Sequence, residues 1–203
     1  MSKLLQRITG HVHNAARFLN DNRGVAAVEF ALVVPLMIVM YLGTVEMSGG
    51  IAVNKKVSRV AGTVADLVTQ QTSVTEDDLE AIMEIGEAVL YPYDLRKPDI
   101  LVTGINVHSS YPKGGKVAWS RRSDEGAMED GWSTGADVFV PVSLRFDDTF
   151  LVQVSADLDY QPIMAYLIGN SVGVIKDGVG VIEMQESYYL RPRIGGTIIC
   201  TDC

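Results

Sequence analysis

Histidine and cysteine are scarce in this 203-residue chain, and that scarcity removes whole classes of chemistry. Of three histidines, His11 and His13 lie in the first 24 residues, which leaves His108 for the rest. A histidine metal site or a Ser-His-Asp triad therefore lacks its parts. The only cysteines, Cys200 and Cys203, form a C-x-x-C at the carboxyl end. Thioredoxin-type motifs instead open a helix within a βαβ unit. Two thiols alone do not complete a metal site. Positive charge is short too: 17 Lys and Arg against 25 Asp and Glu give a formal net charge of -8, which argues against nucleic acid as a partner. No Walker motif or dinucleotide glycine fingerprint is present, so no cofactor is expected. The acidic runs Glu76-Asp77-Asp78 and Asp147-Asp148 lack the alternating ligand spacing of a calcium loop and read as caps and turns. Nothing singles out a carboxylate pair for glycoside hydrolysis. No catalytic, cofactor-binding or metal residue is assigned.

What the chain does have is one long apolar run, Val25 to Val45, with Glu29 as its single charge. About 20 helical residues at ~1.5 Å rise cross a hydrocarbon core of ~30 Å. A carboxylate in such a span costs ~2.5–3.5 kcal/mol near the bilayer centre and less toward an interface, so Glu29 is a functional candidate by default. It is the fifth residue after Gly24, within Arg23-Gly-Val-Ala-Ala-Val-Glu-Phe30. The pattern resembles type IV-like prepilins, in which a membrane peptidase cuts after a glycine and the glutamate at the fifth mature position serves assembly. The resemblance implies cleavage between Gly24 and Val25, with Glu29 and Phe30 in the assembly segment. A plain signal anchor is the other reading of the same residues. A cleaved secretory signal fits less well, because the run exceeds an h-region of about 7–15 residues and no small-x-small step closes it.

Residues 1–24 form a basic leader with Lys3, Arg7, Arg17 and Arg23 against Asp21. The positive-inside rule predicts that this leader stays cytoplasmic and that the bulk of the chain is exported, and the prepilin resemblance implies that the membrane crossed is the inner one. Its removal would take the formal charge from -8 to -11. Lys55, Lys56 and Arg59 beyond the span reduce the charge bias, and Pro35 favours a kink.

Beyond the span, Gly49-Gly50 suggest a flexible joint, followed over 46–72 by an amphipathic stalk helix with Val53, Val57, Val60, Val64 and Leu67 on one face. Ser73-Val-Thr-Glu76 matches a capping box, Leu79, Ile82, Met83, Val89 and Leu90 form the next apolar face, and Pro92 ends that helix. From Ile100 onward, alternation predicts strands at Ile100–His108, Lys116–Arg121, Ala136–Arg145, Thr149–Tyr160 and Gly180–Leu190. Lys113-Gly-Gly-Lys116 reads as a hairpin turn, and residues 123–135 as an exposed loop whose Trp132 either covers the sheet edge or meets a partner. The fold class is α+β: a long pilin-like transmembrane helix, then helices packed on an antiparallel sheet. Residues 73–203 form the exported domain, large enough for one core.

Leu158-Asp-Tyr-Gln-Pro162 with the apolar Ile163 to Ile168 resembles the tyrosine-x-proline step of the TadE-like proteins of Tad (Flp-type) pilus assembly. Val57-Ser-Arg-Val-Ala-Gly-Thr-Val-Ala-Asp-Leu-Val68 resembles the segment after their span, and Tyr188 to Arg193 their closing strand. The resemblance extends to the related TadF type. It implies a non-catalytic minor pilin or pseudopilin. Its expected partners are a prepilin peptidase, other Tad pilins and minor pilins, an inner-membrane assembly platform and the lipid bilayer. An oxidising periplasm would favour a Cys200–Cys203 disulfide, of small stabilisation because its loop is short, with a transient intermolecular bridge as the alternative. A signal-anchored ligand-binding or hydrolytic domain, and an adhesin carried on a pilus, remain open alternatives.

Overall fold

The computed structural model describes residues 24–92, 97–162 and 181–203. It has one long helix, a short helix and a mainly antiparallel sheet, an α+β arrangement. The chain divides into two compact units, Met1–Val45 and Glu46–Cys203. The leader residues Lys3, Arg7, His11, His13, Arg17, Asp21 and Arg23, the run Ile163 to Ile168, and Gly180 lie outside the described residues.

Helix α1 spans Val25–Thr69 and contains Pro35. In the first unit its apolar side chains are exposed, Leu32 at 73 % and Phe30 at 69 %. A helix apolar all round needs either a core or a bilayer, and α1 is long and apolar enough to cross a membrane.

In the second unit the same helix turns amphipathic: Val53, Val57, Val60, Val64 and Val68 are fully buried, with Ala61 and Ala65 between them. The stripe closes on Val68 rather than Leu67, which is only half-buried, because spacings of 4, 3, 4 and 4 track the helical period. Gly49 and Gly50 are not a joint; both are helical. A Cβ on Gly49 would stand 3.3 Å from the Tyr160 hydroxyl, and one on Gly50 would lie 3.7 Å from its ring. The pair thus lies inside a continuous helix with the Tyr160 side chain against it.

Strand β1 (Ser73–Val74) precedes helix α2 (Glu76–Ala88). The cap of α2 is Thr75, not Ser73. The Asp78 amide donates to the Thr75 hydroxyl at 3.1 Å, and the Asp78 carboxylate accepts from the Thr75 amide and hydroxyl at 3.0 and 2.8 Å. Both Ser-x-x-Glu and Thr-x-x-Asp satisfy the box, but Ser73 is taken up in an extended pair with Ile199. These hydrogen bonds, the side-chain one foremost, hold the Asp78 carboxyl below its ordinary range. The helix stops at Ala88, four residues before Pro92, and Lys56 donates to the carbonyls of Val89 and Tyr91. Leu90 is buried but lies past the helix.

The remaining strands are β2 (Asp99–Val107), β3 (Gly114–Asp124), β4 (Ala127–Asp130), β5 (Asp137–Phe139), β6 (Thr149–Tyr160), β7 (Ile182–Leu190) and β8 (Ile199–Cys200). The main sheet has the order β4-β3-β2-β6-β7, all antiparallel, and β5 joins the far end of β3. Strand β8 pairs in parallel with β1. The expected strand over Ala136–Arg145 shrinks to Asp137–Phe139, since Pro141 cannot donate to a ladder and a 3-10 turn follows at Val142–Leu144. Residues 123–135 are not all loop: β4 pairs back on β3 through a turn at Glu125 and Gly126, both at positive φ. Gly114 has φ 89° at the turn, but Gly115 and Lys116 already belong to β3.

Period-2 alternation gives the sheet two faces. Ile100, Val102, Phe150, Val152, Val154, Ala156 and Leu158 join α1 and α2 in the main core. Trp119 is buried with them and donates to the Ile198 carbonyl at 2.8 Å. On the other face a small cluster of Ile105, Val107, Val140 and Leu151 occupies one end, and a mainly polar groove that includes Leu101 lies beyond it.

A Cβ on Gly86 would stand 2.5 Å from Val64 Cγ2, so α2 lies against α1 at a glycine. Gly86→Ala should therefore lower stability by ~1–3 kcal/mol through over-packing, against a helix-propensity gain of ~1 kcal/mol. Gly62→Ala in α1 meets no neighbouring atom within 4 Å and should be neutral or stabilising. Denaturant unfolding should show a loss of stability for Gly86→Ala and none for Gly62→Ala.

Candidate functional site

Helix α1 begins at Val25, immediately after Gly24. A side chain on Gly24 would meet nothing within 4 Å, and Val25, Glu29 and Phe30 are all exposed. Val25 and Glu29 are four residues apart and so share one helical face. A backbone amine exposed at Val25 would stand one turn from the Glu29 carboxylate.

At the start of the second unit, the Tyr160 hydroxyl donates to the Glu46 carboxylate at 3.3 Å. Its ring lies over Gly49 and Gly50, with Met184 beside it. The tyrosine of the Tyr160-x-Pro162 step thus packs the end of β6 against α1. Farther along, Tyr188 and Ser58 share a 2.8 Å hydrogen bond, and the Arg193 amide donates to the Thr69 carbonyl at 2.9 Å.

The carboxyl-terminal residues gather at the start of α2. The Glu76 amide donates to the Asp202 carboxylate at 2.8 Å. Arg121 reaches Glu76, Asp130 and the Asp202 carbonyl. Cys200 and Cys203 are disulfide-paired with a Cα separation of 5.6 Å.

His108 stands beside Ser110 and Asp147, yet these do not form a hydrolytic relay. Ser110 lies 2.8 Å from the same nitrogen, Nδ1, that faces Asp147 at 3.9 Å. A triad needs the nucleophilic hydroxyl and the orienting carboxylate on opposite nitrogens of the histidine ring. Hydrogen bonds from the Ser109 amide and hydroxyl hold the Asp147 carboxyl below its usual range.

The polar sheet face carries a groove of about 530 Å³. Its floor comes from side chains on β2, β6 and β7: Asp99, Gln153, Ser155, Asp157, Gln185 and Ser187. Arg122 from β3 pairs with Asp99, and Trp132 stands at the rim. Sequence reasoning named Trp132 but missed the floor. Its signal was readable in the alternate polar positions Gln153, Ser155 and Asp157 of β6 and Gln185 and Ser187 of β7.

Burial, more than any charge, pushes the Asp157 carboxyl up from its ordinary 3.8, while a hydrogen bond from Gln185 partly opposes it. Its raised folded-state pKa means that ionisation costs stability: the cost is absent below the unfolded value and sets in as pH rises through the folded one. Asp157→Asn should remove that loss, leaving the unfolding midpoint flatter above about pH 4, as pH-dependent melting would record.

No curated protein and no solved structure matches this chain. A match to the model of a known family does exist, and it covers the membrane-competent helix. It starts at Gly24 and runs through Gly49, Gly50 and most of the valine stripe. Residues 24–66 match the family described as TadE-like protein, a match that supports a Tad pilus-associated protein and lies on the helix long and apolar enough to cross a membrane.

Proposed function

We propose that the chain is a non-catalytic minor pilin or pseudopilin needed to assemble a Tad (Flp-type) pilus, the appendage serving surface attachment. The observation that carries this reading is the TadE-like match over a helix that starts directly after Gly24 and bears Glu29 one turn in. A prepilin peptidase cuts between Gly24 and Val25. The freed Val25 amine of one subunit then pairs with Glu29 of a neighbour, because an ion pair offsets part of the cost of burying each charge in an apolar bundle. Ala26, Ala27, Ala31 and Gly43 let helices approach closely in the bilayer. Before assembly the protein spans the inner membrane with its leader in the cytoplasm and its sheet domain in the periplasm. There the oxidising compartment keeps Cys200 and Cys203 paired. Its partners are the peptidase, other Tad pilins and minor pilins, and the inner-membrane assembly platform.

The intact mass of membrane-extracted protein should correspond to a start at Val25 in cells that have the peptidase and at Met1 or Ser2 in cells that lack it. A start at Met1 or Ser2 in both strains would reject the processing step. Glu29→Ala, expressed at normal levels, should abolish or strongly reduce pilus formation counted by electron microscopy; unchanged piliation would remove that carboxylate from the mechanism.

A further inference from the structure

We propose that the polar groove on the sheet face opposite the helices is a binding site for a neutral oligosaccharide. The inference rests on the second unit alone and stands whether or not the chain is cut after Gly24.

Three features make the groove a built site rather than a bare sheet face. The first is the loop that carries Trp132. It is pinned to β3 at both ends, by the Gly131 amide on the Ser120 carbonyl at 3.3 Å and by the Gly135 amide on the Val117 carbonyl at 2.8 Å. Gly131 lies so close to the sheet that a Cβ there would collide with the Ser120 side chain and stand 3.0 Å from Leu101 Cδ1. Trp132 is thus held at the rim with 58 % of its surface exposed, although an indole gains much from burial.

The second feature is the chemistry of the floor. Ser155 and Ser187 face each other at 2.7 Å, and the Gln185 amide donates to Asp157 at 3.3 Å. The side-chain amide of Gln153 makes no hydrogen bond among the described residues. Hydroxyls, amides and carboxylates side by side offer donors and acceptors to a ligand that carries many hydroxyls, while an indole face covers the apolar C–H face of a sugar ring.

The third is charge. Arg122, the one cation lining the groove among the described residues, is already paired with Asp99, and Asp130 is paired with Arg121. A phosphate or sulfate would therefore meet carboxylates. An apolar peptide would leave the floor's hydroxyls and amides unpaired, at ~1–3 kcal/mol for each buried group. The volume of about 530 Å³ falls among small-ligand sites of ~300–1,000 Å³.

The test uses the full chain in a polyoxyethylene detergent, so that no sugar head group competes. Cellotetraose, maltotetraose, chitotetraose and N-acetyllactosamine are titrated by calorimetry and tryptophan fluorescence, with tetralysine and a heparin oligosaccharide as charged probes. At least one neutral sugar should saturate below about 10 mM and shift the Trp132 emission. Trp132→Ala should weaken it about tenfold or more, and Trp132→Phe should retain binding within a few-fold. Gln153→Ala should weaken it as well. Buried Trp119 then reports that each variant is folded. The proposal fails if no neutral sugar saturates, if only tetralysine or heparin binds, or if folded Trp132→Ala binds as well as the parent.

Discussion

The structure of the second unit depends on one contact: the valine stripe of α1 sealing the apolar face of the sheet. Val53, Val57, Val60, Val64 and Val68 are fully buried, and so are Val102, Val152, Val154 and Ala156 across from them. Each such valine is worth ~1.5–3 kcal/mol of burial, so no single ion pair on the surface competes with the stripe as a whole. The residues are small as well as apolar. Ala61 and Ala65 lie in the core between the valines, and Gly86 lets α2 approach Val60 and Val64 of α1. At Gly104 the Trp119 indole lies where a side chain would have been, 2.6 Å from a Cβ position. The large side chain and the missing one are a matched pair on neighbouring strands.

Because one helix supplies that seal and also the membrane-competent segment, its sequence obeys two rules in turn. Up to Val45 it is apolar on every side, as a bilayer requires; from Glu46 it is apolar on one side, as a sheet requires. The sheet shows the complementary division. Its inner face is committed to packing, and its outer face is left to serine, glutamine and aspartate over most of its area. An apolar interruption there is the cluster around Ile105 and Leu151, capped by Val140 and the turn after Pro141.

Much of this was legible in the sequence, for physical reasons that differ by element. Thr149–Tyr160 is a strand with the expected bounds because apolar and polar residues alternate strictly from Val152 to Asp159, after the run Phe150-Leu-Val152 that feeds both faces. The valine stripe was legible because a period of 3.6 leaves a strong mark. Gly49-Gly50 misled because glycine in isolation signals freedom, whereas here the helix runs through both and the side chain of Tyr160, more than a hundred residues away, packs against them. Thr75 displaced Ser73 as the cap because Ser73 pairs with a strand near the opposite end of the chain. The hairpin at β4 was hidden by its polarity: an edge strand of Ala127-Met-Glu-Asp130 buries almost nothing, so no apolar pattern marks it. The groove went unread because its members come from five strands and meet only once the sheet is formed.

The pairing of Ser73–Val74 with Ile199–Cys200 has a kinetic side. It is a parallel contact between segments some 126 residues apart, and the Ile198 carbonyl beside it receives the buried indole N–H of Trp119. Loop-closure entropy makes such a contact slow to find and late to form, after the local hairpins β2-β3 and β3-β4. Until it forms, the apolar surface around Trp119 and Val74 stays open to water. The chain therefore has a vulnerable interval between collapse of its sheet and capture of its last strand, during which a neighbouring chain's strand is the nearest competitor for the same edge.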